Sequence, residues 1–478
     1  MLALVALYAL LLIPEAAPPP PKVANGAAFL WNRDAFWPEL ELKLRVAQSW
    51  SPAERTAQFD RALEQVGRAL DPLVETNLPP ASPAFDVVEA SFFELSPIAA
   101  ACPERGPDFL GAARRLRQLV KGQSEHWPLD SAEARQRLYR LLYGSRAAVE
   151  EVLLQSPQST NSLELFSGDE RSSTPAADVL GIKLHSGDIL ISRGGAATSA
   201  LIARGNDFPG NFSHIALVHV DDSSKRVSVI ESHIESGVGV RPLDAYLADT
   251  KLRILVLRLR GDLPQLVAHP LLPHQAASLA FSNALATHIP YDFAMDYTDP
   301  TKQFCSEVAA AAYQPLGVKL WMNLSQLSTP GVTSWLAALG VRHFETQEPS
   351  DLEYDPQLYI VAEWRDPEML FPDHVDNAIL DVMLEGAEHG DQLDYNLWLL
   401  PTARLAKAWS VVLNWYGKVG PVPEGMSATT ALRVKRLTAK HAAMKVAVLA
   451  QSGTFKAQRG YVPPYWALVR LAREAKGN

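Results

Sequence analysis

Cysteine is nearly absent from this chain, with two in 478 residues. So few exclude a disulfide framework. No CxxC pair and no HExxH motif occurs, so the usual sequence signatures of a zinc site are missing. A Walker loop and a Rossmann glycine fingerprint are missing too, which removes the standard cradles for nucleotides. None of these patterns calls for a cofactor or a metal. Basic charge is also short: 44 Lys and Arg against 53 Asp and Glu give a net charge of −9. That balance gives no support for nucleic-acid binding. No apolar run approaches the roughly 20 residues that a membrane-spanning helix needs, and no internal repeat is present.

Hydrophobic residues make up 47% of the chain and charged ones 20%, the balance of a globular protein with ample core. The length points to two or three domains. Met1 to Ile13 is almost wholly apolar and is stopped by Pro14 and the Pro18–Pro21 run. Residues 1–22 therefore read as a signal-like segment, although no Lys or Arg precedes Lys22. Export to the periplasm or cell envelope is the expectation, with a cytoplasmic address as the alternative. The same segment suits association with a membrane surface.

Residues 38–156 read as helical. Ser51-Pro52-Ala53-Glu54 has the spacing of a capping box with proline at the first helical position. Phe59, Leu63, Val66 and Leu70 follow at helical spacing. Asp130-Ser131-Ala132-Glu133 opens another helix. Residues 157–177, rich in Ser, Thr, Asp and Glu, read as a linker. Beyond it the period changes. Strands are expected at 188–192, 214–220, 227–234, 252–258 and 359–364, the second and third joined as a hairpin by the polar turn after Val220. A helix is expected from Pro273 to Thr287, and another beginning at Cys305. Residues 373–478 return to helix, with Leu400–Tyr416 and Thr430–Leu449 the clearest members. The fold class is α+β, short antiparallel strands with helices.

The chemistry concentrates in Phe304-Cys305-Ser306-Glu307. A thiol at a helix start is favoured as thiolate by the backbone dipole. An amidase built on a thiol also needs a base and a group to orient that base. His214 stands at the head of a strand, at the sheet rim. His219, five residues on, faces the other side of a regular strand. Glu231 and His233 share one face of the next strand. Glu231 is the first choice to orient His214 and His233 the second. A zinc site made of His214, Glu231 and His233 is the competing reading, and it leaves Cys305 unexplained. Cys102 reads as a small buried apolar residue; a Cys102–Cys305 bridge would occupy the thiol.

Several motifs in order carry a resemblance. Ser186-Gly187-Asp188-Ile189-Leu190, Phe212-Ser213-His214-Ile215-Ala216-Leu217-Val218, Val229-Ile230-Glu231, Gly237-Val238-Gly239-Val240, Tyr291-Asp292-Phe293, Asp296 and Gln303-Phe304-Cys305-Ser306-Glu307 resemble the YiiX/YebB-like permuted papain-like amidases of the NlpC/P60 superfamily. The histidine precedes the cysteine, the order that circular permutation produces. The resemblance covers residues 178–365. It implies a circularly permuted papain-like core with Cys305 as nucleophile, His214 as base and Glu231 as the polar partner. Tyr291 and His233 are the residues expected at the substrate. The activity implied is hydrolysis of an amide in a peptide or small molecule, such as a peptidoglycan stem peptide. A lipid-directed thiol hydrolase or acyltransferase, and a non-catalytic binding module, are the alternatives. A Cys305 thiolate paired with a His214 imidazolium is the expected resting state.

Overall fold

In the computed structural model, residues 2–15, 26–31, 35–155, 163–165, 172–366 and 368–477 are described. The Pro18–Pro21 run and most of the expected linker fall outside them. An apolar helix, α1 (Leu2–Leu12), is followed by α2 (Phe36–Ser49), α3 (Pro52–Glu75), α4 (Ala84–Ala101), α5 (Gly106–Ser124) and α6 (Ala132–Gln155). The capping box at Ser51 is present in both directions. Ser51 Oγ accepts from Glu54 N–H at 3.3 Å, and the Glu54 carboxylate accepts from Ser51 N–H at 2.9 Å. Phe59, Val66 and Leu70 are buried and Leu63 is partly so, all in one core shared by α2–α6. Each fully buried side chain of this size contributes roughly 1.5–3 kcal/mol. Cys102 ends α4 inside that core; both cysteines are free thiols.

The strands are β1 (Leu163–Leu165), β2 (Ala176–Val179), β3 (Ile182–His185), β4 (Ile189–Gly194), β5 (His214–Val220), β6 (Val227–His233), β7 (Gly237–Pro242), β8 (Lys251–Leu259), β9 (Ser325–Gln326), β10 (Glu345–Thr346) and β11 (Leu358–Arg365). One antiparallel sheet has the order β1-β11-β8-β4-β5-β6-β7. The expected hairpin is β5–β6, closed where Asp221 N–H donates to Arg226 C=O at 3.0 Å. The hairpin β2–β3 was not legible; Ala176 and Ala177, expected in the linker, pair with β3.

Between and after the strands come α7 (Ala197–Arg204), α8 (Leu243–Ala248), α9 (Pro264–Ala268), α10 (Leu272–Ala286), α11 (Glu307–Tyr313) and α12 (Pro330–Leu339). The C-terminal part is α13 (Leu370–Glu388), α14 (Leu400–Trp415), α15 (Ala428–Arg459) and α16 (Tyr465–Gly477). On one face of the sheet, Ile215, Leu217 and Ile230 pack with Ala276 of α10 and Val308 of α11. On the other, Ala216, Val218 and Val229 pack with Leu184 of β3 and Tyr246 of α8. The basic residues of α15 are partly engaged: Arg433 donates to Ala338 C=O at 3.0 Å, and Lys445 pairs with Asp376 at 2.8 Å.

A buried charge network ties the helical regions to the sheet. Arg146 of α6 pairs with Glu353 at 2.6 Å and with Glu363 of β11 at 2.8 Å. Glu150 of α6 pairs with Arg253 of β8 and, at 2.9 Å, with His374 of α13. Arg253 also reaches Asp373 of α13 at 2.6 Å, and Arg193 of β4 lies 3.2 Å from the same carboxylate. Removing one partner leaves its counter-charge desolvated and unpaired, which costs about 3–5 kcal/mol. Arg146→Ala is therefore expected to lower the urea-unfolding free energy by about that amount; a loss under ~1 kcal/mol, the value of a solvated surface pair, would show the network to be screened.

Candidate active site

The site forms where β5 begins. Alternation decides which side each group occupies. Ile215 and Leu217 face α10 and α11, so His214 is in phase with Ala216 on the opposite side. Glu231 lies directly across from Ala216 in the β5–β6 register, which sets its carboxylate beside the imidazole. His214 Nε2 is 2.7 Å from Glu231 Oε2. His233 Nε2 is 2.8 Å from Glu231 Oε1, and Arg241 Nε is 3.5 Å from that oxygen. His219 is on the other face, stacked on Phe281 of α10 with ring centroids 4.5 Å apart.

Glu231 is almost wholly buried. Burial alone would raise its pKa. The two imidazoles outweigh burial and hold the carboxyl well below its usual range. The tautomer of His214 follows. An ionised Glu231 can only accept, so Nε2 carries the proton and Nδ1 is left as the acceptor. Burial pulls His214 below its ordinary pKa against the opposing pull of Glu231, so the ring is neutral. His214 Nδ1 has no hydrogen-bond partner among the described residues.

Cys305 approaches from the α11 side. It stands two residues before Glu307, the first residue of α11, in a turn rather than at the helix start expected from the sequence. Ser306 takes the N-cap position instead. Cys305 Sγ contacts Ser213 C=O at 3.8 Å and Ser306 Oγ at 4.0 Å. The thiol thus rests against the backbone of the residue preceding His214, with no hydrogen bond to the imidazole itself. Burial pushes the thiol up to about 12, against the hydrogen bond with Ser306. Both directions run against the expected thiolate–imidazolium pair. The thiol is buried and the imidazole half-buried, and desolvation opposes separating charge between them.

The segment carrying Cys305 is braced at several points. Ser232 Oγ donates to Gln303 C=O at 2.6 Å, and Gln303 N–H to Pro290 C=O at 3.1 Å. Glu307 accepts from Phe304 N–H at 2.8 Å. Gly237, with φ +71°, brings β7 so close to Ile289 that a Cβ would sit 2.1 Å from its carbonyl oxygen. Asp292 accepts from the N–H groups of Ala294 and Asp296 at 2.9 and 2.6 Å and shapes the loop that holds Tyr291. Tyr291 lies near the thiol: burial first, then the charge of Cys305, would hold its phenol well above the ordinary range. Ser232 and Glu307 were not picked out as site residues from the sequence. Glu307 had a signal, since a Glu three residues after Phe304 is the half of a capping box that reaches back to an N–H.

Among the described residues His214, Glu231 and His233 are the set able to hold a metal, with donor atoms within 4.8 Å of one another. The 2.7 Å His214–Glu231 contact is a hydrogen bond, and His233 Nε2 lies 2.8 Å from Glu231 Oε1 without hydrogen-bond alignment. A tetrahedral zinc would hold its ligand atoms roughly 3.4 Å apart, so the three side chains would have to spread to take one.

Residues 183–362 match the family of permuted papain-like amidase enzymes described as YaeF/YiiX, C92. The match takes in His214, Glu231, His233, Tyr291 and Cys305, and α1–α6 and α13–α16 lie outside it. Neither the curated proteins nor the solved structures contain a match.

Two outcomes follow from these ionisation states. Alkylation of Cys305 by iodoacetamide in the resting protein should rise without a plateau between about pH 6 and pH 10; a plateau below about pH 7 would reveal a preformed ion pair. Glu307 provides a stability signal. Burial, opposed by the Phe304 N–H and reinforced by Asp292, Asp296 and Asp299, pushes it from 4.5 up to about 9. A pKa raised in the folded state gives stability that is complete below the unfolded value and lost as pH rises through about 9. Glu307→Gln should remove that loss, so its melting temperature should gain on the wild type as pH rises from about 5 to 9.

Proposed function

We propose that this protein is a cysteine amidase or peptidase that cleaves an amide bond with Cys305 as nucleophile, His214 as general base and Glu231 as the residue that orients and stabilises His214. One observation carries the reading. Cys305 Sγ rests 3.8 Å from the carbonyl of Ser213, the residue before His214, and the His214 ring is held by Glu231 at 2.7 Å. The match to an amidase family supports it. The resting pair is neutral, so the thiol is activated only when substrate closes over it. The Sγ proton then moves to His214 Nδ1, and Glu231 stabilises the imidazolium. Sulfur attacks the carbonyl carbon, and the oxyanion is met by backbone N–H groups of the Cys305 turn. The amine leaves with the proton from His214, and a thioester remains. Water, deprotonated by the same ring, releases the acid and restores the thiol. Tyr291 and His233 border the groups that must hold the substrate.

The substrate class we assign is a peptide amide of the cell envelope, a peptidoglycan stem peptide. Its support is the family resemblance together with the apolar N-terminal helix, which fits an exported protein.

Stem-peptide turnover followed by mass spectrometry tests the reading. Cys305→Ala should abolish hydrolysis. Glu231→Gln, which gives the ring the wrong hydrogen-bonding partner, should lower kcat by roughly a hundredfold or more. Hydrolysis that survives Cys305→Ala and disappears with a chelator would move the chemistry to a metal on His214, Glu231 and His233. A trapped Cys305 adduct carrying a fatty acyl group would instead favour the lipid-directed reading, and a wild type inert towards amides and acyl donors alike would favour a binding module.

A further inference from the structure

Helix α14 and the turns at its two ends carry apolar side chains that stay exposed among the described residues. Trp398, Trp409, Trp415 and Tyr416 are 68, 57, 78 and 77% exposed. Leu405, Trp409 and Tyr416 stand four and seven residues apart, so they line one side of the helix. Only Leu400, Pro401 and Ser410 of α14 are buried. A cluster of this kind on a globular protein marks an interaction surface.

Charge narrows the partner. From Tyr395 to Pro423 the sequence has Arg404, Lys407 and Lys418 and no acidic residue, within a chain of net charge −9. Tryptophan and tyrosine are also the side chains that favour the level of lipid headgroups. The face extends onto α1. Arg404 donates to Leu11 C=O at 2.9 Å and caps that helix, and Leu7, Tyr8 and Leu10 of α1 are exposed as well. No helix among the described residues is long and apolar enough to cross a membrane, so the face suits a helix lying in the interface plane.

We propose that α14, with α1 beside it, docks the protein onto an anionic phospholipid surface. The inference is independent of the catalytic reading. It predicts that the full chain floats with phosphatidylcholine vesicles containing phosphatidylglycerol, and that salt weakens the binding. The triple substitution Trp398→Ser, Trp409→Ser, Tyr416→Ser should reduce partitioning roughly tenfold or more while leaving the melting temperature unchanged, because the three side chains are exposed. Brominated lipid should quench tryptophan emission of the unaltered chain. Absence of flotation and quenching would overturn the proposal, as would flotation that the triple substitution leaves intact. A concentration-dependent dimer abolished by the same substitution, without vesicle binding, would assign the face to a second copy of the chain and overturn it equally.

Discussion

The buried ion network around Glu150, Arg146, Arg253 and Asp373 is the constraint from which the rest of the structure follows. These groups lie where hydration is unavailable, so each must find its counter-charge or impose several kcal/mol. Their partners come from α6, β4, β8, β11 and α13. None of those elements can be placed without the others. The network also reaches the site. Arg193 is next to Ser192, and Ser192 pairs directly with His214. Helix α6 supports the approach to β5 as well. Tyr139 donates to Pro209 C=O at 2.5 Å, and the Arg146 guanidinium lies 5.1 Å from the Phe212 ring centre. Ser350 Oγ accepts from Phe212 N–H at 3.0 Å. The helical region before the family match therefore fixes the backbone on which the thiol rests.

Within the site, Glu231 performs at small scale what the network performs at large. It stays ionised while buried because two imidazoles and, at 3.5 Å, Arg241 surround it. That choice sets the tautomer of His214, while burial, against the pull of Glu231, lowers the pKa of the ring. The thiol is kept neutral by burial. A resting site of this kind protects the cysteine from oxidation, because the thiolate is the reactive form. Under the proposed mechanism, substrate must supply the change in geometry or dielectric that transfers the proton.

Much of this was legible in the sequence for a physical reason. The apolar runs at His214–Val220 and Val227–His233, joined by a polar turn, marked both strands, and the two-residue repeat of a strand put Glu231 and His233 on one face. The capping box at Ser51 was equally plain, since its partners are local. The β2–β3 hairpin was hidden by short strands and a polar surrounding. The ionisation of Cys305 was hidden more deeply. A helix start argues for thiolate, but α11 begins two residues later, and burial is a property of the whole fold. The ion network was opaque for the same reason. Arg193 and Arg253 end or begin strands, where a solvated rim residue is the ordinary expectation, and only α6 and α13 supply the acids that bury them.

The C-terminal region meets the site along a continuous path. After α14 the chain turns back on itself. Val422 N–H donates to Ser410 Oγ at 2.9 Å and Lys407 Nζ to Pro423 C=O at 2.8 Å. Gly420 allows that return, because a Cβ there would lie 2.4 Å from Ser410 Cα. The chain then reaches the loop of Tyr291. Glu424 lies 2.7 Å from His288 Nε2, and a Cβ on Gly425, where φ is +77°, would come within 3.2 Å of the Phe293 ring. Tyr291 and Phe293 pack edge to face at 5.0 Å. The exposed face of α14 is thus joined, through one tightly folded return, to the loop that carries Tyr291 and Phe293.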